Sequence, residues 1–250
     1  MVLELKNVNM EFFNEYDKLD VLKDINFSVD EGEIVTIIGP SGSGKTTILN
    51  LISGLLKPTS GSIKVNGKIG YMFQRDHLFE WRTIYRNVIL GLEIQNNLTE
   101  ENINGVLRML NMYGLWEFRN SKPSELSGGM RQRVALIRTL ATSPDLLLLD
   151  EPFAALDYQT KLLVSEDMYK IIKNEKKTTI MVTHDLSEAI AMSDRIIVLS
   201  DRPAKIIKTH DIKLTLDKER TPLSSRKAPE YREYFDMLWR ELNEKSDTEI

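Results

Sequence analysis

The stretch "GPSGSGKT", from Gly39 to Thr46, sets glycines, a lysine and a hydroxyl residue at the spacing of a phosphate-binding P-loop. Glycines let the backbone of Gly39, Pro40, Ser41, Gly42, Ser43 and Gly44 wrap tightly, so that N–H groups surround a phosphate. Lys45 adds a point charge toward the terminal phosphates, and the hydroxyl of Thr46 can ligate Mg²⁺, with Thr47 next along. A second stretch, "LLLLDEP" (146–152), ends an apolar run on two carboxylates. Successive strand residues point to opposite faces, so Asp150 and Glu151 are expected to differ in role. Asp150 is placed to hold Mg²⁺ and Glu151 to polarise a water attacking a γ-phosphate. Gln74 and His184 also close apolar runs, "KIGYMFQ" and "MVTH". Gln74 is read as a contact to Mg²⁺ or the attacking water, or a surface amide. His184 is read as a γ-phosphate contact, or a structural hydrogen-bonder. Phe12 is an adenine-stacking candidate or a core residue.

One further anion site is incomplete. In "PSELSGGMRQRVAL" (123–136), Ser127, Gly128 and Gly129 open a helix, where free N–H groups and the helix dipole favour an anion. No buried strand enters that turn, and no lysine follows the glycines.

The elements that must position these groups alternate in type. "IVTIIG" (34–39) reads as a strand buried on both faces, running into the glycine turn and then a helix. "DLLLLD" (145–150), "TTIMVT" (178–183), "RIIVLS" (195–200) and "KIIKTH" (205–210) are further strands, with helices between the first three. The expected fold is α/β: a P-loop NTPase core with a largely parallel sheet, an N-terminal antiparallel β subdomain and an inserted helical subdomain. Residues 1–76 and 143–210 are assigned to the core, 77–142 to the helical insertion and 211–250 to a C-terminal extension. In that extension Tyr231, Tyr234, Phe235, Leu238, Trp239 and Leu242 recur at helical spacing, as in an amphipathic helix, read as docked on its own domain in preference to binding a partner.

Composition narrows the function classes. The 250 residues are 42% hydrophobic and carry a formal net charge of −4, so a nucleic-acid partner is not expected. There is no cysteine, which excludes disulfides, thiolate metal sites and a cysteine nucleophile. The start "MVLELKNVNMEFF" lacks the charged and apolar regions of a signal peptide. Apolar runs stop far short of the roughly 20 residues that span a bilayer.

The order of these motifs, "GPSGSGKT", Gln74, "LSGGM", "LLLLDEP", "ALD" (155–157) and His184, resembles the nucleotide-binding subunit of an ABC transporter. The resemblance covers roughly residues 1–210. It implies an ATPase using ATP and Mg²⁺, in which two copies bind head to tail around two nucleotides. Ser127, Gly128 and Gly129 would then face the nucleotide on the other copy's Lys45, Asp157 would lie in the loop linking the two sites, and Phe12 would fall at the adenine-stacking position. "QRDHLFEWRTIYRNVILGLE" and "SDRPAKI" are similar to the nitrate, sulfonate and taurine branch of importers, with Glu80 where that branch commonly has proline. Vitamin precursors are also carried within the branch. The implied partners are a second copy, an integral membrane permease and, indirectly, an extracytoplasmic solute-binding protein, with this subunit peripheral on the cytoplasmic side of the membrane. A soluble ABC-type ATPase of DNA repair or translation is the alternative. A P-loop small-molecule kinase would leave "LSGG" and His184 without a task.

Overall fold

The computed structural model describes residues 1–13, 17–217 and 219–243. Alternating apolar residues build β1 (Leu3–Phe13) and β2 (Lys18–Val29), which pair antiparallel with Leu3 opposite Val29 and Leu5 opposite Phe27. β3 (Ile34–Ile38) does not alternate: all of its residues are buried, as a strand covered on both faces requires. Helix α1 (Lys45–Ile52) follows the glycine turn, and β4 (Ser60–Val65) pairs with β1 to complete a sheet in the order β2-β1-β4.

β5 (Ile69–Met72) then leads into helices α2 (Ile84–Val88), α3 (Leu90–Ile94), α4 (Glu100–Met112) and α5 (Gly128–Leu140). The buried amide of Asn87 organises the loop before them. Its Oδ1 accepts from the Phe79 N–H at 2.7 Å, and its Nδ2 donates to the carbonyls of Phe79 and Thr83. The chain continues through β6 (Leu146–Asp150), α6 (Tyr158–Asn174), β7 (Thr178–Val182), α7 (Leu186–Met192), β8 (Arg195–Leu199) and β9 (Ile206–Asp211). It ends in the short α8 (Pro222–Ser225) and in α9 (Tyr231–Asn243).

The second sheet runs β5-β6-β7-β3-β8-β9. Its first five strands are parallel, and β9 alone runs antiparallel, against β8. This is the α/β architecture expected, with an antiparallel N-terminal sheet and helices inserted between β5 and β6. The leucines of β6 show why the strand had to be a continuous apolar run. Leu147 and Leu149 pack into the cluster shared with α5 and α6, whereas Leu146 and Leu148 face α1 and the N-terminal sheet.

A third cluster joins β8, α7 and α9. α9 inserts Leu238 completely and half-buries Tyr231, Tyr234, Phe235 and Leu242, so the helix is docked on its own domain. Trp239, placed on the apolar stripe by spacing, is instead 57% exposed and stacks on Phe235 at the edge of the contact. The stripe is narrower than the spacing predicted, because Leu238 alone reaches the cluster's centre.

Candidate functional site

Four neighbouring parallel strands, β5, β6, β7 and β3, end in Gln74, the Asp150–Glu151 pair, His184 and the glycine turn. Residues far apart in sequence are thereby delivered to one edge, where parallel sheets bind ligands.

The glycine turn is shaped by backbone that other residues tolerate poorly. Gly42 and Gly44 have φ of 78° and 102°. A Cβ on Gly44 would lie 2.9 Å from Leu22 Cδ2 and 3.0 Å from Val21 Cγ1, so the turn is also pressed against β2. Lys45 begins α1, 6% exposed, and its ammonium donates to the carbonyls of Gly39 and Pro40 at 2.9 and 2.8 Å. Burial lowers its pKa, opposed by the charges of Glu151 and then Asp150. The N–H groups of Lys45, Thr46 and Thr47 open the helix and have no intrahelical acceptor. Ser43 is buried, and its Oγ has no hydrogen-bond partner among the described residues.

Asp150 and Glu151 have separate surroundings, as expected, but for a reason other than strand alternation. Asp150 is the last residue of β6 and nearly buried. It accepts from Thr46 Oγ1 at 3.1 Å, with the Tyr71 hydroxyl at 3.4 Å. Burial is the largest effect on its carboxyl and raises the pKa, Thr46 opposes it, and the charge of Glu151 adds to it. Tyr71 is half-buried, and desolvation and then the charge of Asp150 raise the pKa of its hydroxyl and keep it neutral. Glu151 lies beyond the strand with φ of 44°, a left-handed backbone that costs about 1–3 kcal/mol in a non-glycine residue. That turn aims its carboxylate where one oxygen, Oε2, lies 3.3 Å from both Gln74 Nε2 and His184 Nδ1. An amide, an imidazole and a carboxylate converging on one point can orient a water and take its proton.

Phe12 is not a core residue: it is 39% exposed and lines an open cleft of about 370 Å³. Leu19, Val21, Ser41, Gly42, Gly44, Lys45, Thr46, Thr47, Glu151 and Arg202 complete the lining. An aromatic ring and the backbone of the glycine turn thus line the same cleft.

Ser127, Gly128, Gly129 and Asp157 are elsewhere. Ser127 caps α5, its Oγ accepting from the Met130 N–H at 3.3 Å, and both Ser127 and Gly128 are exposed. Gly129 is buried, and a Cβ there would meet Val164 Cγ2 at 2.6 Å. Met130 turns into the apolar cluster rather than toward the exposed turn. Asp157 caps α6 through the Thr160 N–H, and hydrogen bonds from the Thr160 hydroxyl and then from that N–H hold its carboxyl below the usual range. None of these residues lines the cleft.

Several linking residues carry no motif and were missed. Arg131, one turn into α5, grips Asp76 at 2.7 and 3.0 Å and Glu80 at 2.8 Å, tying the loop after Gln74 to the helix that Ser127 caps. Glu80 is therefore a partner for Arg131 in the position where the importer branch commonly has proline. Lys161, one turn past Asp157, bonds Asp185 at 3.1 Å and Glu188 at 2.8 Å, beside His184. A charge at i+3 or i+4 from a motif residue was the available signal, but its partner lies on another element.

Residues 22–154 match the profile of the ABC transporter family. The chain belongs to that family. This ABC protein is 44% identical to the ABC transporter ATP-binding protein YtlC of Bacillus subtilis, over 96% of this chain and 95% of the relative. It is 40% identical to the nitrate import ATP-binding protein NrtD of Synechocystis, over 95% and 94% of the two chains. With the taurine import ATP-binding protein TauB of Pelagibacter ubique it shares 41% identity over 83% and 82%. Among solved structures it resembles the dimeric post-hydrolysis state of the ATP-binding cassette MJ0796 bound to ADP and phosphate, with a TM-score of 0.72 and 34% identity, over 84% of this chain and 99% of that one. This ABC protein is accordingly an ATPase.

Proposed function

We propose that this chain energises solute import as the ATP-hydrolysing subunit of an ABC importer, paired head to tail with a second copy. The observation that carries the reading is the division of the site. The glycine turn, Asp150, Glu151, Gln74 and His184 share one sheet edge, while the Ser127–Gly129 turn, exposed at Ser127 and Gly128, contributes nothing to that cleft. A turn that offers unsatisfied N–H groups to solvent, on a chain that already has a phosphate site, suits a phosphate held by another copy.

In this reading Phe12 stacks on adenine, while Gly39, Pro40, Ser41, Gly42, Ser43, Gly44, Lys45, Thr46 and Thr47 hold the phosphates. Lys45 exchanges its bonds to the Gly39 and Pro40 carbonyls for phosphate oxygens. Glu151 takes the proton of the attacking water, oriented with Gln74 and His184. Among the described residues no cluster of three or more His, Asp or Glu could hold a metal on protein ligands alone. The Thr46 hydroxyl beside the Asp150 carboxylate nevertheless fits Mg²⁺, which takes few protein ligands when phosphate oxygens and water complete its shell. Mg²⁺ there would neutralise charge on the phosphates. Gln74, whose amide sits on Glu151, is a second candidate for that shell.

Contacts present only in the closed pair favour closure with ATP bound, and hydrolysis removes them. We assign transmission of that motion to the helical segment 77–142, docked on a separate membrane permease at the cytoplasmic face. No helix among the described residues is long and apolar enough to cross a membrane, and in this reading the permease supplies the membrane path. The names of NrtD and TauB support a small nitrate- or taurine-like solute; another sulfonate or a vitamin precursor is the alternative within the same importer branch, and an extracytoplasmic binding protein would deliver it.

The test is Glu151→Gln. ATP binding should persist while phosphate release slows by about 10²–10⁴, with the pair trapped as a dimer in gel filtration with ATP. Undiminished turnover would remove Glu151 as the base, and a variant that stays monomeric with ATP would remove the head-to-tail pair.

A further inference from the structure

The motif "SDRPAKI" has no part in these assignments, yet the sheet order brings it to the same site. β8 lies beside β3 in parallel, with Ile38 opposite Val198, so the loop after Leu199 emerges on the same edge as the glycine turn. A fifth neighbouring strand therefore ends at the site. That loop is anchored on its far side to β2: Ala204 N–H donates to the Val21 carbonyl at 2.9 Å, and Lys23 N–H to the Ala204 carbonyl at 2.9 Å. Between the two anchorages Arg202 lines the cleft with Phe12, Lys45 and Thr47. Its Nη2 lies 2.8 Å from where a Cβ of Gly42 would stand, so the guanidinium lies against the glycine turn.

Arg202 is exposed and makes no hydrogen bond, ion pair or ring contact among the described residues. A free guanidinium beside a phosphate-binding turn is a fork of donors for phosphate oxygens, with a geometry that lysine does not match. Lys45, by contrast, is buried and already bonded to carbonyls. We infer that Arg202 is a second phosphate ligand of the nucleotide, closing over the di- or triphosphate from the open side of the cleft. The inference rests on the nucleotide-site reading above and deepens it. Arg202 would select for the polyphosphate and leave the base to Phe12.

The test is displacement of a fluorescent ADP analogue by ADP and by adenosine from the full chain. Wild type, Lys45→Ala, Arg202→Gln and Arg202→Lys would be compared at low and high salt. The Kd for ADP should rise about tenfold or more in Arg202→Gln, the range for a charge-assisted contact, and the lysine variant should recover part of it. Adenosine should displace the probe equally from wild type and Arg202→Gln. The ADP affinity of wild type should also fall more steeply with salt than that of the variant. The nucleotide-free thermal midpoint should not move, because the side chain has no partner to lose. An unchanged Kd for ADP in Arg202→Gln overturns the inference, and so does an equal loss for adenosine, which would put the guanidinium on base or ribose. Failure of wild type to bind ADP, or unchanged binding in Lys45→Ala, overturns the nucleotide-site reading itself and is thus distinguishable.

Discussion

Replacing Asp150 by asparagine should stabilise the nucleotide-free protein while disabling it. The carboxylate is 6% exposed and close to the charge of Glu151, so the folded state holds an ion at a cost that the unfolded chain avoids. Asparagine keeps the shape, its Oδ1 can still accept from Thr46 Oγ1, and its amide can donate to the Tyr71 oxygen. Lys45 keeps Glu151, the larger of its two acidic influences. Removing a functional charge of this kind stabilises by on the order of 1 kcal/mol, which raises the midpoint of a domain this size by about 2–4 °C. The pH dependence has a definite sign. The folded pKa is raised above 3.8, so the penalty is complete above the folded value, shrinks as pH falls through it, and is gone below 3.8. The gain of Asp150→Asn over wild type should therefore narrow on acidification. Thermal unfolding in EDTA without nucleotide, scanned across pH, measures this. Phosphate release with Mg²⁺ and ATP should fall by about two orders of magnitude or more, the scale of lost metal assistance. A variant that melts below wild type, or a gain that widens as pH falls, would refute the argument that burial dominates at Asp150.

Gly129→Ala puts a methyl 2.6 Å from Val164 Cγ2, on a stiff buried side chain between α5 and α6. Overpacking of about 1–3 kcal/mol, offset by up to ~1 kcal/mol of helix preference, should leave a lower melting midpoint without nucleotide; an unchanged midpoint would show that the helices part freely. Met130→Gln should leave phosphate release near wild type while costing about 1 kcal/mol of stability, because the side chain faces the apolar cluster. A large loss of turnover would give it a role at the exposed turn. Leu238→Ala should cost about 2–5 kcal/mol and Trp239→Ala no more than about 0.5 kcal/mol in denaturant melts. Equal effects would undo the docking described for α9.

The parts of the site legible in the sequence are those whose chemistry and geometry are both local. The glycine turn needs consecutive residues to wrap a phosphate, and "LLLLDEP" announces a doubly covered strand with carboxylates at its end. Strand order is not local. Nothing in "SDRPAKI" says that β8 lies next to β3, so the placement of Arg202 at the cleft could not be read before the sheet was known. The same holds for Arg131 with Asp76 and Glu80, and for Lys161 with Asp185 and Glu188. Each is an ordinary surface charge until another element comes beside it. Glu151 was expected to point away from Asp150 because of the pleat, yet it sits past the strand in a left-handed turn that no alternation rule anticipates. Phe12 was ambiguous because a β1 residue near the hairpin end can face either core or cleft, and only the closeness of β2 to the glycine turn decides it.

The order of the second sheet also has a consequence for how the molecule is made. β3 is synthesised early, but it is flanked by strands that pair Thr179 with Ile34 and Arg195 with Val35, near the far end of the chain. Until both have left the ribosome, the strand carrying the glycine turn has two open edges and an apolar surface on each face. Contacts this distant in sequence form slowly, and an unpaired apolar strand is prone to association while it waits. A growing chain should therefore gain nucleotide-dependent protection from proteolysis abruptly, once β8 is exposed, and chains arrested before residue 195 should show none.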